Sequence, residues 1–150
     1  MVDDSAERLL LACLAAIERC AAKEREDVNP DIFADLGESL FWLLALAEAN
    51  GRQKRELLRA LGWARNRIAH GVLPVAPVAW RYGTELGKWV LGRGMLGVSS
   101  AHEWLLRDKI VTSRTQKTDF VGEGAYDKHL AGQEVLTVLR AGLAEATPAR

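Results

Sequence analysis

The sequence predicts an all-α protein that folds as a single domain over residues 1–150. Apolar residues recur at helical spacing in four segments of the chain, which is the pattern of amphipathic helices. The composition, with 49% hydrophobic and 27% charged residues, is that of an ordinary globular protein. A domain of this length buries roughly 68–70% of its unfolded surface, so neither disulfides nor metals are needed to stabilise it.

Two helices are predicted in the first third of the chain. The first covers about residues 5–26, where apolar side chains repeat at helical spacing: Leu9, Cys13, Ile17 and Cys20. The second begins at Asn29–Pro30, an N-cap residue followed by proline at the first helical position, and ends near Asn50–Gly51. Its second half, residues 40–47, is apolar on all sides. We therefore expect it to lie in the middle of the bundle or at a subunit interface.

A third helix is predicted over about residues 53–70 and a last one over about 126–145. Residues 72–125 between them are predicted to form an irregular insert, because prolines exclude a helix at 72–77 and glycines crowd the segment that follows. Residues 88–91 and 103–106 are expected to pair as a β-hairpin, in preference to a short helix started by the capping box at 100–103. Residues 112–124 are polar and predicted to be a loop.

Charge is balanced over the whole chain but not along it. Twenty basic and twenty acidic residues give a net charge of zero, which argues against coating nucleic acid by bulk charge. Residues 51–71 contain six basic residues and one acidic residue, a net charge of +5. Residues 1–50 contain four basic and eleven acidic residues, a net charge of −7, and residues 72–150 carry +2. The positive charge is therefore concentrated in the third helix.

The chain shows no sign of membrane insertion or secretion. Its longest apolar run, Leu9–Ile17, has nine residues, whereas roughly 18 are needed to span a bilayer. The first residues are acidic rather than basic, unlike a secretory signal. Cys13 and Cys20 are seven residues apart on one helix, about 10 Å along its axis, which is too far for a disulfide. We expect a cytoplasmic protein that does not contact membranes.

Several polar side chains are predicted to share one face of the third helix. On a helical wheel, the apolar stripe consists of Leu57, Leu61, Ala64 and Ile68. The opposite face carries Asn66, Arg59, Arg52, His70 and Trp63, with Arg55 close by. A tryptophan on a polar helix face indicates an interface or a ligand, and packing against residues 72–80 is an equal alternative.

This set of side chains is suited to cleaving RNA without a metal. Histidine moves protons near neutral pH, and arginine binds phosphate oxygens through its planar fork. RNA supplies its own nucleophile, the 2′-hydroxyl. The sequence shows no His, Cys or carboxylate spacing typical of a metal site. The sequence therefore predicts RNA as the partner and no cofactor.

The segment Arg65-Asn66-Arg67-Ile68-Ala69-His70 resembles the R-N-x-x-x-H signature of HEPN domains. The resemblance implies an antiparallel helical bundle, and a homodimer in which two motifs face each other as a composite active site. It also implies a metal-independent endoribonuclease, as in many toxins and defence proteins. In this family Arg65 would steady the phosphate, Asn66 would position it, and His70 would act as general acid or base. Arg55, Arg59, Arg67 and Trp63 would then contact the RNA strand.

Two features leave alternatives open. Many toxin members carry a tyrosine two residues after the histidine, where this chain has Val72, so control by an antitoxin does not follow from the resemblance. On an ideal helix Arg67 lies about 60° from His70 and Arg65 about 140°, so spacing favours Arg67 as the partner of His70, whereas the motif favours Arg65.

The alternative functions are a non-catalytic HEPN-like module that binds RNA, a nucleotide or a protein, and a purely structural helical partner.

Overall fold

The computed structural model describes residues 4–26, 30–78, 101–110 and 119–148. This part of the chain is predominantly helical with one two-stranded sheet, which confirms the all-α class. Its elements in chain order are α1 (Asp4–Glu26), α2 (Phe33–Ala49), α3 (Glu56–Ala69), β1 (Val75–Pro77), β2 (His102–Trp104), a 3₁₀ helix (Arg107–Lys109), α4 (Phe120–His129) and α5 (Val135–Ala146).

Helices α1 and α2 form an antiparallel pair with the most extensive packing in the bundle. The Cys13 thiol points at the carbonyl of Ser39, at 4.0 Å, near the middle of both helices. At the other end of the pair, Asp35 accepts ion pairs from Arg19 (3.4 Å) and Lys23 (2.6 Å). Apolar burial between the helices supplies most of the stabilisation, and these charged groups fix their register.

Helix α2 begins and packs differently from the prediction. It starts at Phe33 rather than near Asn29–Pro30, and Asn29 itself lies outside the described residues. Leu40, Leu43 and Leu46 are buried in the core, but Phe41 is 54% exposed. The exposed Phe41 therefore excludes burial of residues 40–47 on all sides within one chain, and their place at a subunit interface stays a prediction.

The single last helix predicted over 126–145 is wrong, because the structure has two helices there. Gly132 adopts a positive φ of 75°, which is the left-handed conformation that glycine adopts without strain. The chain turns at residues 130–134 and separates α4 from α5. Helix α4 starts at Phe120, so residues 120–124 are helical rather than part of the polar loop predicted over 112–124. Residues 112–118 lie outside the described part.

Helix α4 packs antiparallel on α3, and this contact decides what α3 exposes. Near the start of α3, Glu56 binds Lys128 (2.6 Å) and His129 (3.0 Å) of α4. One end of α4 therefore meets the beginning of α3. Further along α3, the ring of Trp63 lies 4.6 Å from that of Tyr126. A second side of α3, besides its apolar stripe, is thereby covered.

The two-stranded sheet pairs different segments from those predicted. β2 is antiparallel to β1, with Val75 opposite Trp104 and Pro77 opposite His102. The strand over 102–104 rules out the short helix at the predicted capping box. The predicted hairpin pairs residues 103–106 with residues 88–91. In the structure the described partner of β2 is β1, and residues 88–91 lie outside the described part. The sheet is held to α4 because Tyr126 donates a hydrogen bond to the carbonyl of Leu105 at 2.7 Å.

Candidate active site at the end of helix α3

The backbone at the end of α3 forms a closed C-terminal cap. The amide of Gly71 donates to the carbonyl of Ile68, and the amide of Val72 donates to the carbonyl of Arg67, both at 2.9 Å. This pair of bonds is the Schellman motif, which requires a left-handed residue after the helix. Gly71 supplies it with a φ of 77°. The residue just before it, His70, is held by its own amide, which donates to the carbonyl of Arg67 at 3.1 Å.

Three residues of the motif face solvent. Arg65, Asn66 and His70 are all exposed. Within the described residues, their side chains make no hydrogen bond and no ion pair with the rest of the chain. The residues between them, Arg67 and Ile68, are buried. The helix therefore presents one cation, one amide and one imidazole on its open side, next to a rigid turn.

The open side of α3 continues as a basic surface towards the start of the helix. Arg55 and Arg59 are exposed and follow the helical repeat that leads to Asn66 and His70. The one acidic residue of segment 51–71 is Glu56, whose carboxylate is bound by Lys128 and His129. Hydrogen bonds from Lys128 and then His129 lower the pKa of Glu56 to about 2. The Glu56 carboxylate is therefore bound by side chains of α4. Helix α3 has no other acidic residue to neutralise its basic surface.

The prediction that Trp63 lies on the open polar face is wrong. Trp63 is only 3% exposed and packs against Tyr126 of α4. The alternative expected packing against residues 72–80, whereas the ring contact that the structure describes is with Tyr126 of α4. Because the ring is enclosed, it does not offer a face for stacking on an RNA base.

Arg67 is also buried, contrary to its expected place beside His70. It is 6% exposed, and its guanidinium lies 4.3 Å from the centroid of the Trp63 ring. A cation over an indole face is a favourable contact. Of the two arginines that the spacing and the motif proposed as partners of His70, the exposed one is Arg65.

Sequence reasoning missed a buried polar pair that joins the sheet to α1. Glu24 and His102 are both buried. Glu24 Oε1 lies 2.9 Å from His102 Nδ1 and accepts the His102 backbone amide at the same distance. The two residues are 78 positions apart, and no local pattern signals such a contact. The pair acts structurally, because it is closed to solvent.

Both cysteines are enclosed in the helical core. Burial raises the pKa of the Cys13 and Cys20 thiols to about 12, so neither is a thiolate near neutral pH. Residues 4–26, 30–78, 101–110 and 119–148 contain no cluster of three or more His, Cys, Asp or Glu residues placed to bind a metal ion. In the same part of the chain, no helix is long and apolar enough to cross a bilayer.

Comparisons with known proteins do not assign the chain to a family. No protein-family model matches the chain, and neither the curated proteins nor the solved structures contain a significant match.

Proposed function

We propose that the protein is a metal-independent, HEPN-type endoribonuclease that acts as a cytoplasmic homodimer, in the role of a toxin or defence protein. One observation carries the proposal. Arg65, Asn66 and His70 are exposed together and unengaged within the described chain, while Arg67 and Ile68 between them are buried. Polar side chains that make no structural contact, on a backbone fixed by a Schellman cap, are suited to binding and catalysis.

The proposed reaction is transfer of the phosphoryl group within the RNA strand. His70 accepts the proton of the 2′-hydroxyl, and the 2′-oxygen forms a bond to phosphorus. The bond from phosphorus to the 5′-oxygen breaks, and that oxygen takes a proton from an acid. Arg65 stabilises the negative charge that builds on the phosphate, and the Asn66 amide donates to one of its oxygens. The products are a 2′,3′-cyclic phosphate and a 5′-hydroxyl.

A second copy of the chain would complete this site. Each motif contains one histidine, whereas the reaction uses a base and an acid, so the acid is the histidine of a second copy or a water. Large apolar side chains exposed on α1 and α2 support a homodimer: Leu11 (60%), Leu14 (44%) and Phe41 (54%). Trp63 does not support a dimer interface, because it is buried within its own chain.

The basic surface of α3 would bring the RNA strand to this site. Arg55 and Arg59 lie along α3 on the side that leads to His70, and a positive surface attracts phosphates over several ångströms. Because no tryptophan is exposed in the described part of α3, binding there would depend on phosphates rather than on base stacking. We expect strong salt dependence and little base preference from this surface.

The test is incubation of total RNA with the protein in EDTA. Wild type is compared with His70→Ala and Arg65→Ala. The matched control is His129→Ala, because His129 of α4 contacts Glu56 at the start of α3, away from the motif at the end of that helix. We expect cleavage by wild type and by the control, 2′,3′-cyclic phosphate ends, and loss of cleavage in the other two variants.

Cleavage that survives His70→Ala, or that EDTA abolishes, would exclude this mechanism. Failure of wild type to cleave any RNA, with a monomer in sedimentation, would favour the non-catalytic module that binds RNA, a nucleotide or a protein.

A further inference from the structure

Gly62 lies in the interior of α3, and no contact with a described residue requires a glycine there. Gly71 and Gly132 are needed for positive φ angles of 77° and 75°. A methyl group on Gly142 would lie 2.6 Å from Leu61 Cδ1. Gly62 is helical, and apart from the backbone of its own helix no heavy atom lies within 4 Å of the position of a Cβ. A glycine in a helix interior lowers stability relative to alanine, and no packing contact offsets that loss here.

The open position over Gly62 is bordered by hydrogen-bond donors. Arg59 and Arg65 lie three positions before and after it, and Asn66 lies four positions after it, so all three neighbour it on the helix surface. Their side chains are exposed and form no hydrogen bond or ion pair with another described residue. None of these side chains comes within 4 Å of the Cβ position. The surface of α3 therefore has an empty notch with two positive charges and one amide at its edge.

Helix geometry directs Asn66 towards this notch. Side chains of an α-helix point back towards its N-terminus and lie over the preceding turn. The residue one turn before Asn66 is Gly62. An asparagine side chain is short, so its amide reaches only a group that lies close to the helix surface. A side chain at position 62 would occupy the place of that group.

We propose that Gly62 is the floor of a phosphate-binding site, in which an RNA phosphodiester lies against the α3 backbone and is held by Asn66 and Arg65. The Asn66 amide donates one hydrogen bond to the phosphate, and the Arg65 guanidinium donates to its oxygens and supplies the opposite charge. Glycine is the residue that allows a backbone to approach a ligand closely. This site rests on the proposed function, since RNA is its ligand, and it adds the residue that sets how closely the strand approaches α3.

Gly124 of α4 provides a matched control. It also lies within a helix and has no heavy atom within 4 Å of its Cβ position. The polar side chains one turn after it, Asp127 and Lys128, are both held in ion pairs. Open space is therefore common to the two glycines, and of the two only Gly62 is bordered by free donors.

The experiment measures binding of a single-stranded RNA by fluorescence anisotropy. Its 2′-hydroxyls are methylated, which removes the nucleophile of the proposed reaction. Gly62→Ala should raise the melting temperature and yet weaken RNA binding, because the methyl group favours the helix and fills the notch. Gly62→Leu should weaken binding about tenfold, as expected for losing one hydrogen bond to a charged group. Gly124→Ala and Gly124→Leu should bind RNA as wild type does.

A double-mutant cycle shows whether Gly62 acts through Asn66. In a protein that already carries Asn66→Ala, Gly62→Leu should weaken binding little further, because the hydrogen bond that the leucine prevents is already absent. Arg55→Ala lies seven positions before Gly62 and should add its own loss to that of Gly62→Leu without coupling. Full additivity between the substitutions at Gly62 and Asn66 would overturn the proposal.

Unchanged RNA binding by Gly62→Leu, or by Gly62→Ala where the leucine variant does not fold, would also overturn it. Failure of wild type to bind the RNA would do the same. If wild type binds RNA but cleaves none, and Gly62→Leu weakens that binding, the nuclease is excluded and the phosphate site stands. If Gly62→Leu binds and cleaves RNA as wild type does, the phosphate site is wrong and the nuclease stands.

Discussion

Arg65 and Arg67 lie two residues apart on the same helix, yet they occupy opposite environments. Arg65 is exposed beside Asn66 and His70, whereas Arg67 is enclosed over the ring of Trp63. The difference arises from helix–helix packing rather than from residue type. Helix α4 covers the side of α3 that carries Trp63 and Arg67, and in the described chain the side with Arg65, Asn66 and His70 remains open. A helical wheel identifies faces, but only a neighbouring element decides which face is closed.

The largest expected contrast between the two sides of α3 is in catalysis. Under the proposed function, His70→Ala should lower the rate of RNA cleavage about 10²–10⁴-fold, because the base that takes the 2′-hydroxyl proton is removed. The free energy of unfolding should change by no more than about 0.5 kcal/mol, since the side chain is exposed. Cleavage assays and urea unfolding measure the two quantities. A large loss of stability would instead mean that the His70 side chain contributes to the packing of the helix.

On the closed side, the expected contrast is in stability. Trp63→Ala should lower the free energy of unfolding by about 3–5 kcal/mol, because it removes a buried ring packed on Tyr126. Trp42→Ala is the matched control, since Trp42 is only partly buried and its indole N–H bonds Glu38 at 3.2 Å. Chemical denaturation of both variants should show a clearly smaller loss for Trp42→Ala. Equal losses would mean that α4 does not stabilise α3 as the packing indicates.

Two glycines extend the comparison to the backbone of the bundle. A methyl group on Gly142 of α5 would lie 2.6 Å from Leu61 Cδ1 and 3.2 Å from Leu43 Cδ1 in the packed core. Gly142→Ala should therefore destabilise the protein by about 1–3 kcal/mol. Gly62, on the open side of α3, has no heavy atom within 4 Å of the same position. Gly62→Ala should stabilise by about 0.5–1 kcal/mol. Thermal unfolding of the pair checks whether the signs are opposite.

The smallest effect concerns the ion pairs that join the two helices at the start of α3. The pKa of Glu56 is lowered from its ordinary value of 4.5 to about 2. A lowered carboxyl pKa stabilises the folded protein above pH 4.5, and this contribution is lost as pH falls through about 2. Glu56 is exposed, so the effect is modest and screened by salt. Glu56→Gln should flatten the pH dependence of unfolding in this window, and an unchanged profile would show that the contacts with Lys128 and His129 do not persist in solution.

Much of the helical framework was predictable from local patterns. The apolar repeat at Leu9, Cys13 and Ile17 places α1 within one residue of its start, and Gly71 marks the end of α3. Asn66 and His70 were predicted to lie on the open face of the third helix, and both are exposed. These successes share a cause, because side-chain periodicity and chain-reversing glycines act within a few residues.

The errors share a different cause. The helical wheel placed Trp63 on the open face and Arg67 near His70, and a wheel holds no information about the neighbouring helix α4 that covers both. The break between α4 and α5, where Gly132 adopts a left-handed conformation, was not predicted from the sequence. The burial of Glu24 against His102 depended on which strand pairs with β1, which no local pattern encodes.

The sequence by itself determined the helical class, most of the helices and the residues that α3 carries, because these follow from local spacing and turn chemistry. Only the tertiary structure decided which of those residues are open to a ligand. Exposure is set by long-range packing, here of α4 against α3, whose contacts join residues more than 60 positions apart. That packing buries an arginine and a tryptophan that the sequence placed at the surface, and it leaves Arg65, Asn66 and His70 free, because only one side of a helix can face each neighbour.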